Sequence, residues 1–416
     1  MGAATPGKLS AWTAYCFIED MTPDRRSRAL EQLRTEPFRI FFPLAFVLGV
    51  LGVSPWALLA IGIVGRYLAF FHAVTQMQSF MLAFASGFLL TAIPKRTRSS
   101  PASWAEIAAL VILLPAVSLA TLAGANALGQ VCYAGALLVL VQFAIRRFAN
   151  RAATRRPPTS FVLVPIGLLA GFAGAMMLIA ADVAVSAPWV YPLGRALVLE
   201  GVFLCLALGV GPFFLAVALH GEAPADISRG GVRSIIGYAT AGCALLSGLM
   251  LHAQGSVRAG LVLRATAVVA VLAVGGLWRR PSRPGHNRRL LWLAMWTLPA
   301  GLMMAAIFPE HRVAAMHVTF IGGFGLLAFS VATHVTLGHT GYSKDQAGRP
   351  RAVAGFGALF AAAMLIRSVG TVLSSRYFEW LGVASVTWLV AACIWAFYLW
   401  PKMRRAPISD ESMPLR

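Results

Sequence analysis

The sequence predicts an all-α polytopic membrane protein, with about twelve transmembrane helices in one bundle and both termini in the cytoplasm. Of its 416 residues, 58% are hydrophobic and only 12% are charged, which is too few polar side chains to cover a soluble surface. The apolar stretches run unbroken for about 20 residues, as helices crossing about 30 Å of hydrocarbon require, and they lack the alternation of transmembrane strands. The basic residues also alternate between the two sides of the predicted membrane.

The predicted spans are separated by short connections. They cover residues 40–63, 67–93, 104–124, 128–148, 160–182, 194–220, 233–253, 258–278, 289–308, 314–338, 352–373 and 377–400. The two longest polar connections, RRFANRAATRRPPTS and WRRPSRPGHNRR, divide these spans four, four and four, and no internal repeat is evident.

Polar segments flank the predicted transmembrane domain, which covers residues 38–400. Residues 1–37 lack the apolar core of a signal peptide, so we expect a cytoplasmic arm with one short amphipathic helix from Arg25 to Arg34. Residues 401–416 are expected to form a cytoplasmic tail.

The formal charge of +20 is explained by membrane topology rather than by nucleic acid. About 28 of the 35 lysines and arginines lie in the arm, the tail and alternate connections between spans. This asymmetry is typical of the cytoplasmic face of a membrane protein. The expected partner is therefore the lipid bilayer.

The common soluble-enzyme motifs are missing from the sequence. The five cysteines are scattered singly, without CxxC or CxxCH, so neither a disulfide framework nor covalently attached haem is indicated. No P-loop, GxGxxG, paired-carboxylate or Ser/His/Asp pattern occurs in a credible context. Hydrolase and nucleotide-driven activities therefore have no support.

Small residues at Gly167, Gly171 and Gly322 to Gly325 indicate close helix packing.

The histidines fall into two groups, one toward each face of the membrane. With the N-terminus inside, even-numbered spans run from outside to inside. His72, His252, His311 and His317 then lie toward the outer face, whereas His220, His286, His334 and His339 lie toward the cytoplasm.

His72 begins a polar face on the second span. Thr75, Gln76 and Ser79 follow it at helical spacing, so we expect this face to point into the bundle rather than at lipid. An interior imidazole needs a partner, which can be a side chain, a backbone carbonyl or a metal. His317 lies at a similar depth on the tenth span, and two imidazoles from different helices commonly bind haem iron. We predict both as metal ligands; the alternative is a pair of hydrogen-bonded structural histidines.

The cytoplasmic histidines belong to a different site. His317 and His334 are 17 residues apart, about 25 Å along a helix, so they cannot bind one iron. His334 or His339, together with His220, would form a second metal site, although histidines at helix ends also bond carbonyls and headgroups.

Arginines near the outer ends of their helices are candidates for binding haem propionates. We predict this role for Arg195 and Arg264, because guanidinium binds carboxylate bidentately. The alternative is that these arginines, with Arg258 and Arg367, only extend toward the membrane surface. Glu200 lies about one turn deeper in the sixth span.

Methionines beside the outer histidines suggest copper as a second cofactor. Met250 lies near His252, and Met316 adjoins His317. Thioether sulfur is a soft ligand for copper(I), and His252 is a further candidate metal ligand. Packing is the alternative role of these methionines.

Four stretches, taken in order, resemble landmarks of the NnrS family of membrane proteins. They are EPFRIFFPLA, FHAVTQMQSFMLAFASGFLLTAIPKRT, RPSRPGH and MHVTFIGGFGLLAFSVATHVTLGHTG, and together they extend from Glu36 to Gly341. The resemblance implies a polytopic inner-membrane protein of bacteria that contains haem and copper and is associated with nitric oxide and nitrosative stress.

Individual residues of this sequence can also be matched to positions of the family pattern. The first histidine of the family pattern WHAHEM corresponds to His72, whereas its second histidine and its glutamate are Val74 and Thr75 here. His317 and His339 match family histidines. The change at position 74 removes one candidate ligand for copper.

Two functions of different classes follow from the sequence. The first is a b-type haem protein acting in nitric oxide tolerance, with His72 and His317 as axial ligands. Five-coordinate iron could bind nitric oxide, and six-coordinate iron would favour exchange with a membrane electron donor. The second is a metal-free transporter, or a scaffold subunit for a redox complex. An active nitric oxide reductase ranks last, since Glu200 is the one candidate for an acidic relay.

Overall fold

A computed structural model describes residues 23–152, 157–183, 187–224, 230–370 and 374–404. Within these ranges the regular structure is entirely helical, and twelve helices are long and apolar enough to cross a membrane. The predicted all-α polytopic fold is therefore confirmed. Residues 1–22 of the predicted arm and 405–416 of the predicted tail lie outside the described residues.

We label the helices α1 to α14 in chain order. Ten of the membrane-length helices are α2 to α11, and the other two are α13 and α14. The bounds are α1 Pro23–Thr35, α2 Phe38–Ala60, α3 Ala69–Thr97, α4 Trp104–Leu122, α5 Asn126–Ala149, α6 Thr159–Val183, α7 Val190–His220, α8 Val232–Ala253, α9 Val257–Val274, α10 His286–Ile307, α11 Pro309–His339, α12 Ser343–Ala347, α13 Arg351–Gly370 and α14 Tyr377–Met403.

Helix ends differ from the predicted ends where polar residues continue a helix or glycine stops one. α3 continues to Thr97 rather than residue 93. Its last turn contains Lys95 and Arg96, whose low hydropathy ended the predicted span too early. α9 ends at Val274 rather than residue 278, since Gly276 has a left-handed φ of 70°. α11 begins at Pro309 rather than residue 314, through a short 3₁₀ turn.

Three helices form the interior of the bundle. In the most apolar stretches of α3, α7 and α11, 83%, 72% and 78% of residues are buried, against 28–50% in the other membrane-length helices. Each inner helix also contains a π-helical segment: Thr75–Met81, Leu197–Gly201 or Val318–Gly325. π-Helical segments are rare in proteins, and those that occur are often found at functional sites. A functional site is therefore expected among the inner helices.

The same packing pattern occurs three times, although no sequence repeat predicts it. Each inner helix packs against the helix before it: α3 on α2, α7 on α6 and α11 on α10. The following two helices form a hairpin, namely α4 with α5, α8 with α9 and α13 with α14. Each hairpin then contacts the next four-helix unit. The boundaries between units coincide with the two long polar connections.

Glycines allow α6 to lie very close to α7. A Cβ atom added at Gly167 would lie 2.6 Å from the Cβ of Cys205, and one added at Gly171 would lie 2.5 Å from Val202. The packing around Gly323 of α11 is equally close, because a Cβ atom added there would overlap the side chain of Leu298. The sequence-based expectation of close packing at these small residues is therefore correct.

Replacing Gly167 by alanine is expected to destabilise the protein by about 1–3 kcal/mol, because the methyl group overlaps α7. The matched control is Gly237→Ala, at an exposed position on α8 with no atom within 4 Å of the added Cβ. That change should raise helix stability by about 0.5–1 kcal/mol. Thermal unfolding in detergent measures both, and equal melting temperatures would contradict the packing described.

Candidate cofactor site

A cavity of about 580 Å³ lies between the inner helices at one end of the bundle. We call it the outer cavity, and its end of the bundle the outer end, after the orientation predicted from the charges. All three π-helical segments contribute to its wall. Its polar and aromatic lining comprises Trp56, Tyr67, His72, Gln76, Phe80, Tyr191, Arg195, Glu200, His252, Arg312, His317, Phe320, Arg367, Ser385 and Trp388.

His72 lines this cavity, three residues before the π segment of α3. Its Nδ1 lies 2.7 Å from the carbonyl oxygen of Gly52 on α2. Because a carbonyl only accepts, Nδ1 must carry the proton and donate it. The indole of Trp56 contacts the imidazole edge to face, with ring centroids 5.2 Å apart. Both contacts fix the ring, and Nε2 is the unprotonated nitrogen.

His317 lines the same cavity from α11, immediately before its π segment. Its Nδ1 donates to the carbonyl oxygen of Val313 at 2.6 Å, and Phe320 packs edge to face against the ring. Nε2 is again the unprotonated nitrogen. Among the described residues, no hydrogen bond engages Nε2 of either His72 or His317.

This arrangement matches the chemistry of metal-binding histidines. Such a histidine usually donates its other ring N–H to a backbone carbonyl or carboxylate, which fixes the tautomer and the ring orientation. Here the imidazoles of His72 on α3 and His317 on α11 each donate the Nδ1 proton to a backbone carbonyl, and both line the outer cavity. The predicted inward face of α3 is also correct, since Thr75 and Ser79 are buried and Gln76 lines the cavity.

The cavity wall is rich in positive charge. Arg195, Arg312 and Arg367 line it, together with a single carboxylate, Glu200. Glu200 is already paired with Arg264. Three guanidinium groups therefore face a space that contains no other acidic side chain among its lining residues, so the cavity suits an anionic ligand.

Arg264 lies behind this wall rather than in it. The side chain is completely buried and donates to Glu200, to the carbonyl oxygen of Gly260 at 3.1 Å and toward Nδ1 of His252 at 2.9 Å. Arg312 lies 3.1 Å from Nε2 of His252. Both ring nitrogens of His252 thus face guanidinium groups, unlike those of His72 and His317. Arg264 and His252 therefore support the wall in this arrangement.

Aromatic residues complete the cavity. Trp56, Phe80 and Trp388 form flat apolar surfaces, and Tyr67 lies at the outer rim, with its hydroxyl 3.3 Å from that of Tyr377. Burial and this hydrogen bond raise the pKa of Tyr67 to about 12, so the phenol stays neutral.

The lining of this cavity is chemically compatible with the b-type haem that the sequence predicts. The volume lies in the range of about 300–1,000 Å³ typical of cofactor sites. Apolar and aromatic walls suit a porphyrin ring, the arginines suit its propionates, and two Nε2 atoms suit its iron.

The histidines predicted to lie toward the cytoplasm have separate partners. His334 Nε2 accepts from Gln346 at 3.1 Å, His220 Nδ1 lies 3.3 Å from Ser282, and His339 Nδ1 bonds Glu36 at 2.8 Å. Within the described ranges there is no group of three or more histidine, cysteine, aspartate or glutamate side chains that could hold a metal. Among the described residues, His220 Nε2 and His334 Nδ1 are buried without a hydrogen-bond partner, and a second metal site at these histidines stays a prediction.

Glu36 is the centre of an ion-pair network at the end of the bundle opposite the outer cavity, which we call the inner end. It pairs with Arg39 at 2.6 Å and with His339 at 2.8 Å, and Lys95 lies 3.7 Å away. Burial raises the pKa of Glu36, but the hydrogen bond from His339 and the charge of Arg39 outweigh burial and lower the pKa to about 2. The network connects α2, α3 and α11.

Replacing Glu36 by glutamine should cost about 3 kcal/mol of unfolding free energy at neutral pH, because the buried guanidinium of Arg39 loses its carboxylate partner. The folded pKa is depressed, so this contribution is present above the usual value of 4.5 and is lost as the pH falls toward 2. The stability difference between wild type and Glu36→Gln should therefore shrink below about pH 4.5 in denaturant titrations. Exposed Glu31, paired only with Arg34 in its own helix, is the control; Glu31→Gln should have little effect at any pH.

Sequence reasoning missed Arg312 as a candidate. The predicted span began at residue 314 and left Arg312 in a loop, although Arg312 is the fourth residue of α11, five residues before His317. A predicted span that began at Pro309 would have included it.

Comparison with known proteins identifies the family. The model of a family described as NnrS protein matches residues 32–406, and the chain belongs to this family. Membership supports a nitric-oxide-related, multi-pass membrane protein. No curated protein matches the chain.

Proposed function

We propose that this member of the NnrS family is a b-type haem protein of the bacterial inner membrane that acts in the response to nitric oxide. His72 and His317 would supply nitrogen ligands to its iron. The observation that carries the proposal is the matched pair of imidazoles, each donating its Nδ1 proton to a backbone carbonyl and lining one cavity.

Each part of the cavity wall has a role in holding this group. The carbonyls of Gly52 and Val313 fix the imidazole tautomers, so that both Nε2 lone pairs are available without rearrangement. Arg195, Arg312 and Arg367 would bind the propionates. Of the two arginines predicted from sequence, Arg195 keeps this role; Arg264 serves as the buried partner of Glu200.

The haem, when bound, supplies iron that can bind nitric oxide or exchange an electron with a membrane partner. The apolar rings of Trp56, Phe80 and Trp388 would exclude water from the site. Copper has weaker support. Met316 lines the cavity beside His317, but His252 is held between two arginines.

The test is an optical spectrum of the protein purified in detergent from haem-replete cells. We expect a Soret band, with reduced-minus-oxidised bands of a b-type haem, and a shift of these bands on addition of nitric oxide. Metal analysis of the same sample measures iron and copper per chain. A colourless protein without iron would overturn the proposal and favour the metal-free transporter or scaffold.

A further inference from the structure

A second cavity, of about 110 Å³, lies between the same inner helices and nearer the inner end. We call it the apolar cavity. α3, α7 and α11 supply nearly all of its wall, which includes Phe84, Phe88, Phe203, Phe214, Phe324 and Ala328. Every lining residue is apolar, and each is buried or half-buried rather than exposed.

The chemistry of this wall restricts what can bind. A water molecule needs two to four polar partners, and no lining side chain offers one, so a cavity of this kind stays dry. Charged groups are excluded for the same reason. An apolar protein cavity of about 150 Å³ binds benzene or xenon, so about 110 Å³ suits one or two very small uncharged molecules.

The apolar cavity adjoins the outer cavity. Met81 lines both, and on α11 Phe324 lines the apolar cavity while the next residue, Gly325, lines the outer one. Methionine is flexible and unbranched, so its side chain can change rotamer between two such spaces. At the opposite end, Phe214 packs edge to face against His334, with centroids 5.6 Å apart.

We propose that the apolar cavity is a binding site for small uncharged gas molecules, separated from the outer cavity by Met81. Gas binding rests on the cavity alone. Its use as a store of nitric oxide beside the haem rests on the proposed function. Nitric oxide is small and uncharged, so the apolar wall is compatible with it.

Xenon tests the site directly. Crystals of the full chain are pressurised with xenon, and anomalous scattering locates the bound atoms. We expect a peak surrounded by Phe84, Phe203 and Phe324. Ala328→Phe and Ala207→Phe each place a ring in the cavity and should abolish the peak. Ala270→Phe, at an exposed position on α9, is the matched control and should retain it.

Three results would overturn the inference. They are the absence of a peak in the wild-type cavity, elongated density of an acyl chain in its place, and a peak that persists in both filled variants. The outcome is independent of the haem. A protein without a Soret band but with the xenon peak contradicts only the proposed function, whereas a Soret band without the peak contradicts only the gas site.

Discussion

Replacing His317 by alanine is expected to reduce bound haem at least about tenfold, or to shift the Soret band to that of an iron with one histidine ligand. His72→Ala should have the same effect, because the two imidazoles play equivalent roles from α3 and α11. Haem content per chain and the reduced-minus-oxidised spectrum measure both effects. Added imidazole should partly restore the wild-type spectrum by occupying the space vacated.

The matched control is His311→Ala. His311 lies in the first turn of α11, at the same end of the bundle, but is not among the residues lining the outer cavity. Its replacement should leave haem content unchanged. If His72→Ala and His317→Ala retained the wild-type band while His311→Ala lost it, the assignment of ligands would be wrong.

Replacing Arg264 by alanine is expected to lower the free energy of unfolding by about 3–5 kcal/mol, the usual result of removing one partner of a buried ion pair. Arg264 is completely buried, and the change leaves the carboxylate of Glu200 without its cation. His252 loses a hydrogen-bonding partner as well. The midpoint of thermal unfolding measures the loss.

Two further variants separate charge pairing from general damage to α9. Arg258→Ala, at an exposed position on the same helix, should change stability by less than about 0.5 kcal/mol. The double replacement Glu200→Gln with Arg264→Met removes both charges together and should recover much of the loss. If the double variant were no more stable than Arg264→Ala, pairing with Glu200 would not explain the effect.

The sequence was sufficient to predict the fold and the depth of the site. Continuous apolar stretches determined twelve spans, because membrane thickness fixes helix length. The alternation of basic connections gave each span a direction, and this alone brought His72, His252 and His317 to one depth. The long polar connections also marked the boundaries of the three units.

The lateral arrangement of side chains could not be read from the sequence. Each π-helical segment inserts an extra residue and rotates the following helix by about 100°, so the inward face of α3 changes within the helix. The partner of His72 is a backbone carbonyl, which any residue could supply. Glu200 pairs with Arg264, which lies 64 residues away on another helix, and no local sequence pattern predicts this pair.

A cryo-electron microscopy map of the haem-replete protein would locate the haem and its ligands. We expect porphyrin density in the outer cavity, with iron between Nε2 of His72 and Nε2 of His317 and with propionates toward Arg195, Arg312 or Arg367. Porphyrin density elsewhere, or an outer cavity in which these two Nε2 atoms bond only to protein groups, would contradict this expectation.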